Sequence, residues 1–115
     1  MKNKLNAKKL TVDGVTFDSK KEYKRYCELK LLERAGEITD LKRQQRYLLI
    51  PQKKTRDGRV IERECAYIAD FVYKQKNGET VVEDVKGYRG GATYAAYVIK
   101  RKLMLDRYNI IVKEI

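Results

Sequence analysis

Residues 66–87 read AYIADFVYKQKNGETVVEDVKG, and the pairing of the two halves of this stretch decides the fold. Two apolar runs flank Lys76-Asn77-Gly78, a turn signal, so the stretch predicts a β-hairpin. In the first run the odd positions Tyr67, Ala69, Phe71 and Tyr73 are apolar. Its even positions become apolar at Ala66, Ile68 and Val72, so burial on both faces is expected around Asp70. Three charges in the second run, Glu83, Asp84 and Lys86, then need an explanation, because a buried charge is costly unless paired or bound to a metal. Turn length sets which of them faces Asp70. A two-residue Asn77-Gly78 turn puts Asp70 opposite Val85, with Glu83 on its face. A three-residue Lys76-Asn77-Gly78 turn puts Asp70 directly opposite Asp84, with Lys86 on the same face by the period of two. Three-residue loops combine a type I turn with a left-handed third residue, which suits Gly78, so this register is the expectation. A slip of one residue would exchange Asp84 for Glu83.

Working outward, residues 10–17 (LTVDGVTF) predict a second hairpin about an Asp13-Gly14 turn, with Leu10, Val12, Val15 and Phe17 on one face. A helix is expected over 19–35. Ser19 and Glu22 have capping-box spacing, and Gly36 stands at the left-handed exit position. Residues 44–50 predict a strand stopped by Pro51, residues 53–59 (KKTRDGR) a basic loop, and residues 60–74 one long strand. The hairpin's second strand is expected over 79–86. Gly87, Gly90 and Gly91 then form a flexible exit to a helix over 93–107 capped by Thr93, and residues 109–114 close the chain as a strand. After the first hairpin the order is αβββαβ: a mixed α/β fold in one domain, 1–115, with 1–17 as a basic arm and hairpin.

The 115 residues suit a single domain. Lys and Arg number 27 against 16 acids, a net charge of +11 that points to a polyanionic partner, DNA above all. No apolar run approaches the ~20 residues that cross a bilayer. The start, MKNKLNAKKL, has no apolar signal core, so a cytoplasmic protein without a membrane partner is expected. The two cysteines have no zinc spacing, and the absence of histidine removes the usual general base of hydrolases. Hydrolytic chemistry would have to come from carboxylates, lysines, tyrosines or a metal.

Opposed carboxylates repel and raise one another's pKa, a conflict that a divalent cation removes. Mg²⁺ takes such hard oxygen ligands together with water and phosphate, and Mn²⁺ is the expected substitute for it. Lys86 would then orient water or stabilise charge on a phosphate. Asp70 followed by Asp84-Val85-Lys86 resembles the D…(D/E)-x-K signature of the PD-(D/E)XK nuclease superfamily. The αβββαβ order is similar to its core, so the resemblance covers most of the chain. The stretch FDSKKEYKRYCELKLLERAGEI (17–38), with YIADF and VVEDVKG, also resembles a small phage-encoded family. More distantly it resembles phage endonuclease I, transposon-end endonucleases and archaeal Holliday junction resolvases. Two departures are Ala69 in place of proline before Asp70 and Asp84 in place of the commoner glutamate. The resemblance implies a restriction-endonuclease-like mixed sheet flanked by two helices, and a Mg²⁺-dependent deoxyribonuclease. It implies metal ligands from Asp70, Asp84, the Val85 carbonyl and Glu22, with Lys86 assisting the attacking water.

Other residues carry two readings each. Glu22 is a cap or a metal ligand. Gln44 and Gln45 position water or phosphate, or simply pack. Tyr88 and Tyr94 beside the glycines stack on unpaired bases or cover the core. Lys100, Arg101, Lys102, Lys53, Lys54, Arg56, Arg59 and Arg89 are phosphate contacts or solvated charges. No base-reading module is present, so recognition of DNA structure or backbone is expected. The rival functions are a junction resolvase, which needs two sites and hence a homodimer, a non-cleaving DNA-binding or recombination accessory protein, and a phage structural protein that holds packaged DNA.

Overall fold

A computed structural model describes residues 8–115, so residues 1–7 of the expected basic arm lie outside the described residues. The first hairpin joins β1 (Leu10–Val12) to β2 (Val15–Phe17) with Val12 opposite Val15 and Leu10 opposite Phe17. Asp13 and Gly14 both have positive φ, at 50° and 78°, as a primed two-residue turn requires. α1 (Lys20–Arg34) follows. Ser19 accepts a hydrogen bond from the Glu22 amide, and the chain leaves through Gly36 at φ 78°. The capping box is only half formed, because the Glu22 carboxylate does not return to Ser19 and bonds the Asp18 amide at 3.0 Å instead.

The central sheet has four strands in the order β3-β6-β7-β8. These are β3 (Ile38–Ile50), β6 (Cys65–Gln75), β7 (Thr80–Asp84) and β8 (Lys113–Glu114). β3 and β7 each run antiparallel to β6 between them, and β8 lies parallel to β7 after the crossover through α2 (Gly91–Tyr108). The sheet is therefore mixed, with two helices, and the main elements follow the αβββαβ order. A parallel return needs a crossover, which α2 supplies.

The helices cover opposite faces. Leu29 of α1 packs with Ile38, Phe71 and Tyr73. Tyr97 and Met104 of α2 pack with Leu49, Tyr67, Ala69, Val72, Val82 and Val112. Tyr67 and Ala69 thus belong to the α2 side, whereas Phe71 and Tyr73, of the same parity, belong to the α1 side. The alternation of β6 changes phase at Asp70. Its register neighbour Gln44 sits at φ 53°, flanked by the ladder pairs Arg43 with Phe71 and Gln45 with Ala69.

Several expected boundaries change. β3 begins at Ile38 and not at residue 44, because left-handed residues at Asp40 and Gln44 let it bend and keep pairing. The single strand expected over 60–74 breaks after Glu62. β5 (Val60–Glu62) turns back on β4 (Lys53–Lys54) as a small exposed arm, so the expected 53–59 loop is in part a strand. α2 begins at Gly91, with Gly90 and not Thr93 as its cap. The last strand shrinks from 109–114 to two residues. Among the described residues, no helix is long and apolar enough to cross a membrane.

Candidate active site

The β6–β7 hairpin takes the three-residue register. Phe71 pairs with Glu83 and Val72 with Val82. Gln75 and Glu79 close the Lys76-Asn77-Gly78 turn, with Gly78 at φ 87°. Continued one step, the register sets Asp70 against Asp84, and the Val85 amide donates to Asp70 Oδ2 at 2.8 Å. The strand period then separates the two acids of β7. Glu83 turns to the α1 side, fully buried, where Arg25 donates two hydrogen bonds to it at 2.8 and 2.6 Å and the Tyr73 hydroxyl donates another. Burial, then the bond to Glu83, pushes the Tyr73 hydroxyl up to about 12. This is a closed structural ion pair.

Asp84 turns the other way. Its Oδ2 accepts from the Tyr67 hydroxyl at 2.7 Å and its Oδ1 lies 3.3 Å from the Lys86 ammonium. That ammonium also stands 3.4 Å from the centroid of the Tyr97 ring, a cation–π contact that fixes its direction. Burial, followed by the nearby Asp84 charge, raises the Tyr67 hydroxyl, which therefore stays protonated as a donor.

From α1, Glu22 points into the same region and is only 2% exposed. Gln44 ties it to Asp70, its Nε2 donating to Glu22 Oε1 and to Asp70 Oδ1, each at 3.3 Å. Arg43 lies 3.4 Å from Glu22 Oε1 and over the Phe17 ring at 4.2 Å. The left-handed Gln44 backbone, uncommon for a residue with a Cβ, occurs where its amide spans the two acids. Burial pushes the Asp70 carboxyl up to about 7; the Val85 amide opposes this, and the Asp84 and Glu22 charges add to it. Asp70, Glu22 and Asp18 each offer a carboxylate oxygen, all within 4.8 Å of one another, close enough for one cation to share. The tightest oxygen cluster therefore includes Asp18, with Asp84 beside it and held by Tyr67 and Lys86.

The structure brings Asp70, Asp84, Lys86, Glu22, Val85 and Gln44 together. Val85 contributes its amide to Asp70. Gln45 pairs with Ala69 and lines a different depression, with Asp40 and Lys42. Tyr88 and Tyr94 line the cleft that holds Asp70. The basic residues scatter. Lys53 and Lys54 lie on the exposed β4 strand, with Arg56 and Arg59 at its turn. Arg89 and Arg101 converge on Glu114 at 3.0 and 2.8 Å. Burial would raise that carboxyl, but Arg89, Arg101, Tyr97 and Tyr94 hold it at about 2. Lys100 is half-buried and Lys102 exposed on α2. Sequence reasoning missed Asp18, whose spacing of four from Glu22 was the available signal. It also missed Lys21, which bonds the Lys86 carbonyl at 2.6 Å.

A family model described as "Protein of unknown function (DUF1064)" matches residues 2–114. The chain belongs to this family. No curated protein and no solved structure matches it. The match spans both helices and all eight strands of the described residues, so the cleft lies wholly inside the family's boundaries.

Proposed function

We propose that the protein is a metal-dependent DNA endonuclease that hydrolyses phosphodiester bonds on a restriction-endonuclease-like core, acting in the cytoplasm on DNA structure or backbone. The observation that carries this reading is the β6–β7 register. It opposes Asp70 to Asp84, holds the Lys86 ammonium 3.3 Å from Asp84, and leaves Glu22 of α1 tied to Asp70 through Gln44.

The residues fit a small hard cation. The donors are carboxylate oxygens, and Asp70 retains a proton up to about 7 where opposite charge is lacking. Asp70, Glu22 and Asp18 would hold Mg²⁺ or Mn²⁺, with Asp84 and the Val85 carbonyl as the neighbouring oxygens that would complete the set. Once bound, the cation would polarise the phosphoryl oxygen and lower the pKa of a water, work otherwise given to the histidine this chain lacks. Lys86 is held by Asp84 below and the Tyr97 ring beside it, so its ammonium donates to water or to a phosphate oxygen from a fixed position. The net charge of +11 draws the DNA strand to the protein.

Plasmid and branched DNA incubated with Mg²⁺, Mn²⁺ or chelator test the reading. Wild type should cut only with metal, and Asp70→Asn, Asp84→Asn and Lys86→Ala should each lose ~100-fold or more of the rate. Equal cleavage by wild type and all three variants would sink the assignment. Salt-sensitive binding without cleavage would favour an accessory DNA-binding protein.

A further inference from the structure

The cleft that holds Asp70 has a volume of about 350 Å³ and opens between the start of α1 and the start of α2. Two side chains on its walls remain unused by the chemistry above. Lys21, in the first turn of α1, is exposed, and its hydrogen-bond partner among the described residues is a backbone oxygen, that of Lys86. Its charge is therefore not neutralised by that contact. On the facing wall, Tyr88 is 55% exposed. Its ring lies on the backbone at Gly90: a Cβ there would come within 2.6 Å of the Tyr88 hydroxyl oxygen and 2.7 Å of the ring carbon that bears it. The glycine thus lets the ring rest against the start of α2. Among the described residues Tyr88 makes no ring–ring contact, unlike Tyr94, which packs on Tyr97 at 5.6 Å. A tyrosine laid on a glycine, half exposed and beside a cleft of acids and lysines, is an aromatic platform without an occupant.

We propose that this cleft seats one unpaired nucleotide of a DNA strand, its backbone phosphate on Lys21 and its base on the ring of Tyr88. The inference rests on the nuclease reading and names its substrate class. A base inside a continuous duplex is stacked on its neighbours and cannot reach the ring, whereas a base in a single strand, flap or branch can. The space is of the size that small ligands fill and is too small for a duplex. Lys86 and Asp70 at the floor then face the phosphate that adjoins the stacked base.

The test is binding in chelator, where metal-dependent cleavage does not occur, measured by anisotropy with a labelled single strand and the matching duplex. Wild type should prefer the single strand. Tyr88→Ala should weaken single-strand binding ~10-fold and leave duplex binding within about twofold, and Tyr88→Phe should restore the preference. Gly90→Ala, which displaces the ring, should reproduce the loss with Tyr88 in place. Lys21→Gln should reduce the slope of log affinity against log salt by about 0.7 on the single strand. An unchanged preference in Tyr88→Ala and Gly90→Ala would overturn the proposal. If wild type cuts no DNA with metal while the Tyr88-dependent preference persists, the nuclease reading fails and the nucleotide site stands.

Discussion

Replacing Asp70 with asparagine should make the metal-free protein more stable in neutral and alkaline solution while removing its response to Mg²⁺. Burial together with the Asp84 and Glu22 charges lifts the Asp70 carboxyl from its ordinary 3.8 to about 7. Between these values the folded chain holds a proton that the unfolded chain has released. Wild-type stability therefore falls as pH rises through this window. At about 1.4 kcal/mol per pH unit the interval amounts to about 4 kcal/mol. Asparagine removes the charge and keeps an oxygen for the Val85 amide, but it offers Gln44 one acceptor fewer, a cost of about 1 kcal/mol. The expected gain above about pH 7 is thus about 3 kcal/mol, shrinking to nothing or reversing near pH 4. Urea unfolding of both proteins with chelator, at about pH 5 and about pH 8, measures the difference. Mg²⁺ added at the higher pH should raise the wild-type midpoint and leave Asp70→Asn unmoved. Parallel pH dependences in the two proteins would refute the raised Asp70 carboxyl, and with it the burial and neighbouring charges invoked to produce it.

Glu83→Gln should destabilise the fold by about 3 kcal/mol in urea unfolding, because it leaves the Arg25 charge facing a buried neutral amide; a change below about 1 kcal/mol would deny the ion pair a structural role. Gly78→Ala should cost about 1–2 kcal/mol, since its φ of 87° is unfavourable for a residue with a Cβ, whereas Gly87→Ala, with open space around it, should shift the same measurement by about 0.5 kcal/mol or less.

Much of this architecture is written locally. Asp13-Gly14 fixes the first hairpin, Ser19 and Gly36 bracket α1, and Gly78 selects the β6–β7 register. The rest depends on contacts between distant segments. Left-handed residues at Asp40 and Gln44 break the period that would have revealed all of β3. The β4–β5 arm pairs strands of two and three residues, too short to carry an alternation signal. α2 starts among glycines that read as a loop because no side chain caps it. In the site, Asp70, Asp84 and Lys86 follow from counting residues around one turn. The oxygen cluster that includes Asp18 joins the segment entering α1 to β6, and its trace in the sequence is the spacing of four between Asp18 and Glu22; the link through Gln44 follows from its backbone conformation, which single-sequence patterns do not contain.

The back-to-back placement of Glu83 and Asp84 makes the hairpin check its own phase. One face offers Arg25 and Tyr73, matched in reach to a glutamate; the other offers Tyr67, matched to an aspartate. Deleting one residue from the turn would reverse which acid meets which set, leaving a longer side chain where the shorter belongs and the reverse on the other side. Such a slip would meet opposition on both faces at once. The partners that hold the two acids thus act as an error-rejecting lock on the strand, and the spacing on which the proposed chemistry depends is guarded by interactions outside that chemistry.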